Sequence, residues 1–192
     1  MDGFLLVLSG PTAAGKGTLV KELLKRRDDI VLSISVTTRY KRENEQDSVD
    51  YFFKSKEEFQ DLIKNNKLLE YANVHGNYYG TPKQFVEEKI KEGKIVLLEI
   101  DVQGGSQVRQ NFEDDALSIF VLPPKKSDIE KRLRHRGTES EENIKTRLET
   151  AEKELEQIKY YDYYLINDYV DKATDRLEEI IEEERERRSK LW

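Results

Sequence analysis

A glycine-rich segment directly after an apolar run limits most strongly what this chain can fold into. The run covers residues 4–8, and residues 10–18 read Gly-Pro-Thr-Ala-Ala-Gly-Lys-Gly-Thr. A strand, a glycine-rich turn and a helix in this order let backbone N–H groups surround phosphate oxygens at a helix N-terminus. Lys16 adds a cation for the β- and γ-phosphates. This segment, the phosphate loop, predicts a nucleotide site better than a ligand-free turn, which does not require a lysine at this spacing.

The loop and one strand end also predict a magnesium site. The loop residues expected to contact the nucleotide are Pro11, Thr12, Ala13, Ala14, Gly15, Lys16, Gly17 and Thr18. The hydroxyl that usually follows the lysine comes one residue later, at Thr18, so direct and water-mediated contact with Mg²⁺ both stay open. Glu99 and Asp101 end an apolar run, at the sheet edge where ligands bind, and can orient water on Mg²⁺. A charged strand end exposed to solvent is the alternative.

The apolar periodicity along the chain predicts an α/β fold. Buried strands are predicted at 4–8, 95–100, 117–122 and 163–166. Helices are predicted at 16–25, 82–92, 127–134, 141–158 and 172–187. This alternation predicts a parallel sheet core with helices on both faces. Alternating and aromatic pieces at 32–36, 50–53, 68–74 and 78–79 surround a short helix at 56–64 and predict a small mixed-sheet insertion.

Length, charge and cysteine content narrow the possible functions. A chain of 192 residues suits one domain. It has no cysteine, which excludes disulfides, thiolate metal sites and thiol nucleophiles. The first apolar run is much shorter than a secretory or membrane segment, so a cytoplasmic protein is expected. The net charge of −6 argues against a general affinity for nucleic acid or anionic membranes, so anion binding must depend on local basic clusters.

Two arginines and nearby tyrosines in the insertion form such a cluster. Arg39 and Arg42 are three residues apart, and Tyr51 and Tyr79 lie in the same insertion. A guanidinium binds phosphate oxygens in a planar fork, and phenols add short hydrogen bonds. The set therefore suits a phosphate monoester. Taken singly, the arginines could be surface charges and the tyrosines ordinary core aromatics.

Together these motifs resemble the guanylate kinase family, in its bacterial form, from Leu5 to about Thr174. Besides the loop, the matching motifs are Ser-x-Thr-Thr-Arg-x-x-Arg, Asp-Tyr-Phe-Phe, Glu-Tyr-Ala, Gly-Asn-Tyr-Tyr-Gly-Thr, Asp-Val-Gln-Gly and Arg-Gly-Thr-Glu. The resemblance implies that the phosphate of GMP is held by Ser35, Arg39, Arg42, Tyr51 and Tyr79. It implies that the rest of the GMP site contains Glu70, Gly80, Thr81 and Asp101, of which Glu70, Thr81 and Asp101 face guanine.

The same resemblance implies one P-loop NTPase-type domain in three parts. These are a core at about 1–33, 82–125 and 146–192, a GMP-binding insertion at about 34–81 and a short lid at about 126–145. Asn167 joins the ATP site, and the lid arginines Arg132, Arg136 and Arg147 would neutralise charge on the γ-phosphate. Lys16 and Arg39 complete the catalytic set. The implied activity is reversible transfer of the γ-phosphoryl group of ATP to GMP, and to dGMP, with Mg²⁺ as cofactor.

Two alternative functions stay open, as does the oligomeric state. Another nucleoside monophosphate kinase shares the Gly-Lys-Gly-Thr motif, although the insertion motifs speak against it. A non-catalytic guanylate-kinase-like binding module would share the fold, although Lys16 and the arginines are retained. ATP and GMP are the expected partners of either a monomer or a homo-oligomer.

Overall fold

The computed structural model describes residues 3–74, 76–112, 115–135 and 140–190. Its strands are β1 (Leu5–Ser9), β2 (Ile30–Leu32), β3 (Val36–Thr37), β4 (Phe52–Phe53), β5 (Leu68–Val74), β6 (Asn77–Pro82), β7 (Ile95–Glu99), β8 (Ala116–Leu122) and β9 (Tyr163–Ile166). Its helices are α1 (Lys16–Arg26), α2 (Lys56–Lys64), α3 (Lys83–Lys91), α4 (Val102–Phe112), α5 (Lys126–His135), α6 (Glu141–Leu155) and α7 (Val170–Ser189). A 3-10 turn, Glu156–Tyr160, follows α6.

The strands form two sheets, which confirms the predicted α/β class with a second, mixed sheet. The first has five strands in the order β2-β7-β1-β8-β9. Its β2–β7 and β8–β9 pairs are parallel, and every residue of β1 is buried. The second has the order β4-β3-β6-β5, with β3–β4 parallel and the β3–β6 and β5–β6 pairs antiparallel.

Two elements differ from the sequence prediction. The alternating piece at 32–36 is predicted as part of the insertion, but Leu32 ends β2, which pairs with β7 in the first sheet, and β3 begins at Val36. No helix is predicted at α4, where Gly104 and Gly105 are adjacent. Glycine is about 1 kcal/mol less favourable than alanine in a helix, so this sequence does not resemble a helix.

The chain divides into two compact units. The first contains Val7–Asp28 and the described residues from Leu117 onward, and the second contains the described residues up to Leu6 together with Asp29–Ala116. No helix in the described part of the chain is long and apolar enough to cross a membrane.

Each unit has a small apolar cluster that positions candidate site residues. In the first, Ala13 of the phosphate loop packs with residues of α5 and α6, including Leu133 and Ile144. This packing holds two arginine-bearing helices against the loop. In the second, Phe59 of α2 packs with Val36 and Leu68 on the mixed sheet. The helix α2 begins with a capping box in which Ser55 and Glu58 satisfy each other's backbone N–H groups.

Candidate active site

The phosphate loop joins β1 to α1 through two glycines with positive φ. Gly10 has φ 142° and Gly15 has φ 89°. A Cβ on Gly10 would lie 2.3 Å from the carbonyl oxygen of Val121, and one on Gly15 would lie 2.5 Å from Nδ2 of Asn167. Only glycine permits these close approaches. Because α1 starts at Lys16, its N-terminus and the partial positive charge of the helix dipole lie next to the loop.

Lys16 lies across the phosphate loop. Its Nζ donates to the carbonyl oxygen of Gly10 at 2.7 Å and to that of Pro11 at 3.2 Å. Ala13, which lies between Pro11 and the start of α1, has φ 60°, a left-handed conformation that is unfavourable for a residue with a Cβ. Strain of this kind persists where the surrounding structure enforces a functional geometry. The ammonium group is thus held where it would meet a phosphate on the loop.

Three side chains from outside the loop contact it. Arg132 of α5 donates from Nη1 to a loop carbonyl oxygen at 3.1 Å, and Asn167, directly after β9, donates from Nδ2 to another at 3.0 Å. Arg147 of α6 donates from Nη1 to Oγ1 of Thr12 at 3.3 Å. The structure therefore brings these three predicted residues to the phosphate loop. Arg136 lies outside the described residues.

A cavity of about 580 Å³ adjoins the loop. This volume is typical of small-molecule sites. Its lining includes the predicted residues Ala13, Gly15, Thr18, Arg132 and Asn167. It also includes Lys131, His135, Asp168 and Val170, which the sequence prediction leaves out. In the sequence, Lys131 belongs to a cationic block with Arg132 and Arg134, but the charged pattern of α5 does not show which of these residues lie at a site.

In the second unit, Arg39 lies among aromatic rings and a carboxylate. Its guanidinium donates to both oxygens of Glu45, at 2.7 and 3.0 Å, and its Cζ is 5.4 Å from the ring centre of Tyr51. The backbone N–H of Arg42 donates to the same carboxylate at 2.8 Å, while the Arg42 Nη1 is 3.9 Å from it. The hydrogen bonds from Arg39 keep the pKa of Glu45 below its usual value. Arg39 is therefore oriented for a planar anion.

The predicted tyrosines lie beside Arg39. The rings of Tyr51 and Tyr79 meet edge to face with their centres 6.0 Å apart. Burial raises the pKa of Tyr51, and the charge of Glu99 at the end of β7 raises it further. Ser35 accepts the backbone N–H of Phe52 at 2.9 Å through its carbonyl oxygen. The structure thus gathers Arg39, Tyr51 and Tyr79, with Glu99 close enough to affect Tyr51 electrostatically.

Glu70 is a buried carboxylate, only 4% exposed, in β5. Thr81 of β6 donates from Oγ1 to Glu70 Oε1 at 2.6 Å. Burial raises the pKa of Glu70 to about 7, the hydrogen bond from Thr81 opposes this, and the charge of Asp101 adds to it. Asp101 itself caps α4, because its Oδ1 accepts the N–H of Gly104 at 2.9 Å. A buried carboxylate with a perturbed pKa beside a second carboxylate is typical of a functional site.

Comparison with known proteins decides the family. A family model described as guanylate kinase matches residues 3–184. The chain belongs to the guanylate kinase family. It is 47% identical to a guanylate kinase of Oceanobacillus iheyensis, over 98% of this chain and 91% of that protein. It is 49% identical to one of Desulfitobacterium hafniense, over 93% and 89% of the two chains.

A solved structure supports the same assignment. The crystal structure of guanylate kinase from Anaplasma phagocytophilum matches with a TM-score of 0.80 and 34% identity, covering 95% of this chain and 86% of that chain. The family resemblance and the predicted α/β class are therefore confirmed.

The residues predicted to bind magnesium in this guanylate kinase family member are divided between the two units. Thr18 lies in the first unit, whereas Glu99 and Asp101 lie in the second. Among the residues with described positions, no three acidic or histidine side chains form a cluster that could hold a metal ion. Gly80 is buried in β6, where a Cβ would lie 2.9 Å from Cδ1 of Leu68, so its small size serves the packing of β6 against β5.

Glu45 is the clearest residue that sequence reasoning missed in the insertion. It follows Arg42 by three residues and holds the guanidinium of Arg39 in place. Its one local signal is a charge opposite to that of Arg42, three residues before it.

Proposed function

We propose that this guanylate kinase family member transfers the γ-phosphoryl group of ATP to GMP and dGMP, giving ADP and GDP or dGDP. The observation that carries the proposal is the buried carboxylate of Glu70, hydrogen-bonded to Thr81 at 2.6 Å. The phosphate loop by itself would suit many nucleotide-binding proteins. A buried carboxylate that can be ionised near neutral pH supplies the acceptor that guanine requires.

The ATP half of the site is proposed to lie on the phosphate loop. Backbone N–H groups and the start of α1 would bind the phosphates, and Lys16 would exchange its two carbonyl partners for β- and γ-phosphate oxygens. Arg132 and Arg147 already donate to the loop and would neutralise the charge that develops during transfer. Arg136 is proposed to act with them.

The GMP half is proposed to hold the acceptor phosphate with Arg39, Arg42, Ser35, Tyr51 and Tyr79. The fork of Arg39 already binds a carboxylate, and a phosphate would share or replace that partner. No general base is needed. The second pKa of a phosphate monoester is about 6, so the attacking oxygen is largely ionised at neutral pH.

Guanine recognition is assigned to Glu70, Thr81 and Asp101. Guanine presents N1–H and N2–H₂ as adjacent donors, and an ionised Glu70 can accept from both. Because Thr81 has a single hydroxyl proton, it can donate to guanine O6 only when the guanine donors take its place on Glu70. Adenine inverts the pattern, with an acceptor at N1 and a donor at N6. Sites that hydrogen-bond a specific edge can discriminate by about 10⁴ to 10⁵.

Magnesium is proposed to enter with ATP. The hydroxyl of Thr18 and the carboxylates of Glu99 and Asp101 are hard oxygen donors, which fit Mg²⁺. Mg²⁺ commonly keeps several waters and binds through one or two carboxylates and substrate phosphates, so it does not require a protein cage. When bound, it would neutralise charge on the β- and γ-phosphates. The division into core, insertion and lid, and a cytoplasmic location where ATP and GMP are both present, belong to the same proposal.

An ADP-release assay with Mg-ATP and a panel of GMP, dGMP, AMP and UMP tests the function. We expect activity with GMP and dGMP and very little with AMP or UMP. Activity confined to AMP or UMP would replace the proposal by another nucleoside monophosphate kinase. GMP binding without any ADP release would favour a non-catalytic binding module.

A further inference from the structure

The strand that carries Glu70 is irregular at that residue. In the β5–β6 pair, Leu68 lies opposite Pro82 and Tyr71 lies opposite Gly80. Two residues of β5, 69 and 70, therefore face the single residue 81 of β6, which defines a β-bulge. Bulges re-aim side chains and leave a backbone group without its regular ladder partner. Leu69 and Glu70 are both buried, 7% and 4% exposed, so the bulge interrupts the alternation of buried and exposed side chains and lets Glu70 meet Thr81.

A side chain of α4 holds the peptide groups next to the bulge. Gln107 donates from Nε2 to the carbonyl oxygen of Tyr71 at 2.6 Å, and its Oε1 accepts the N–H of the same residue at 3.2 Å. One amide thus satisfies both backbone groups of Tyr71, as a neighbouring strand would. Since β5 is an edge strand of the mixed sheet, no strand within the described ranges pairs with these groups on that side. The contact fixes the backbone directly after Glu70.

The same helix provides the surface against which the Glu70 carboxylate rests. A Cβ on Gly104 would lie 2.3 Å from Glu70 Oε2 and 3.0 Å from its Cδ. Glycine at this position is therefore required for the observed carboxylate position. Gly104 and Gln107 are three residues apart, so they lie on the same side of α4. One side of α4 thus contacts the backbone of Tyr71, directly after the bulge, and lies against the side chain of Glu70 within the bulge.

We infer that Gln107 is a positioning residue for guanine recognition, acting through Glu70 by holding the bulged segment of β5 against α4. The inference rests on the proposed role of Glu70 in binding guanine. Gln107 itself need not touch the substrate. Its loss would let the backbone at Tyr71 move, and the carboxylate would leave the position that matches the guanine edge.

Gln107→Met tests the inference, with Gln110→Met as the matched control. Methionine keeps the length of the side chain but cannot replace the two hydrogen bonds. Gln110 is an exposed glutamine of the same helix. We expect Gln107→Met to raise the KM for GMP and lower the GMP-to-AMP ratio of kcat/KM by about tenfold each, from the loss of two hydrogen bonds. The KM for ATP and the kcat at saturating GMP should stay within about twofold of wild type.

A double-mutant cycle with Glu70→Gln separates positioning from general damage. If Gln107 acts through Glu70, then Gln107→Met should change the GMP-to-AMP ratio little in the Glu70→Gln background, because the carboxylate is already gone. Additive effects, or equal loss of ATP and GMP affinity, would overturn the inference. If Glu70→Gln alone leaves the GMP-to-AMP ratio of kcat/KM unchanged, then Glu70 does not recognise guanine, and the inference about Gln107 is wrong as well.

Gly104→Ala provides a second variant should Gln107→Met unfold. Alanine is a better helix former than glycine by about 1 kcal/mol, so a purely helical role predicts an equal or higher melting temperature with unchanged selectivity. We expect the GMP-to-AMP ratio to fall instead, because the added Cβ displaces Glu70. Unchanged selectivity in Gly104→Ala would contradict the claim that α4 positions the carboxylate.

Discussion

The raised pKa of Glu70 predicts how its removal changes stability with pH. In the unfolded chain its pKa has the ordinary value of 4.5, and in the folded protein burial raises it to about 7. Below pH 4.5 both states hold the proton, so the group has no net effect. Between these values only the folded state holds it, so the free energy of unfolding falls as the pH rises. Because a tenfold change in a protonation equilibrium corresponds to about 1.4 kcal/mol, the loss above pH 7 is about 3 kcal/mol.

Glu70→Gln should remove this loss without removing the hydrogen bond from Thr81. The glutamine amide oxygen can accept from the Thr81 hydroxyl, and it carries no charge at any pH. Relative to wild type, the ligand-free variant should therefore gain about 3 kcal/mol between pH 4 and pH 8. For a chain of this size, that corresponds to a melting temperature difference of roughly 6 to 12 °C. The variant should at the same time lose GMP activity.

Urea unfolding followed by circular dichroism, from pH 4 to pH 8, measures the difference directly. Parallel pH curves for wild type and Glu70→Gln would refute the raised pKa. Binding of guanosine over the same range gives an independent check, because guanosine has no phosphate that titrates near pH 6. Its affinity for wild type should rise as the pH passes 7, when Glu70 ionises, and should be flat for Glu70→Gln.

Three further substitutions test separate parts of the site. Lys16→Met should lower kcat by about 10²-fold or more while the circular dichroism spectrum is retained, and near-normal turnover would show that the loop is not the ATP site. Arg39→Ala should mainly raise the KM for GMP, by about 10-fold to 100-fold, whereas Arg136→Ala should mainly lower kcat. Steady-state kinetics distinguish the two effects. An unchanged KM for GMP in Arg39→Ala would show that Arg39 does not bind the acceptor phosphate. Gly10→Ala should lower the free energy of unfolding by about 2 kcal/mol or more in urea titrations, because its φ is 142° and a Cβ would lie 2.3 Å from the Val121 carbonyl oxygen.

The features that could be predicted from the sequence are those set by neighbouring residues. The phosphate loop joins a buried strand to a helix that begins at Lys16, as predicted. The helix Lys56–Lys64 and the strand Leu68–Val74 have the predicted bounds, since a capping box begins the first and apolar residues outline the second. In each case the signal lies within a few residues of the element that it specifies.

The features that escaped prediction depend on contacts between distant segments. Gln107 acts by holding Tyr71, which lies 36 residues earlier in the chain, and nothing in its own neighbourhood identifies it. The bulge in β5 depends on how its residues pair with β6, which periodicity does not determine. Similarly, β2 is not among the predicted strands, because a run of three residues is too short to identify a strand or its partner from sequence.

The helix that sequence reasoning missed is also the helix that packs against Glu70, the residue proposed to recognise guanine. The adjacent glycines at 104 and 105 make α4 a poor helix by propensity, yet a Cβ at position 104 would collide with Glu70. Position 104 thus has a residue of low helix propensity because the buried carboxylate needs the space. The cap by Asp101 helps to start the helix despite this low propensity. Departures from local propensity are expected at functional sites. The failure to predict α4 and the raised pKa of Glu70 therefore have one origin, a carboxylate packed against the first turn of a helix that must leave room for it.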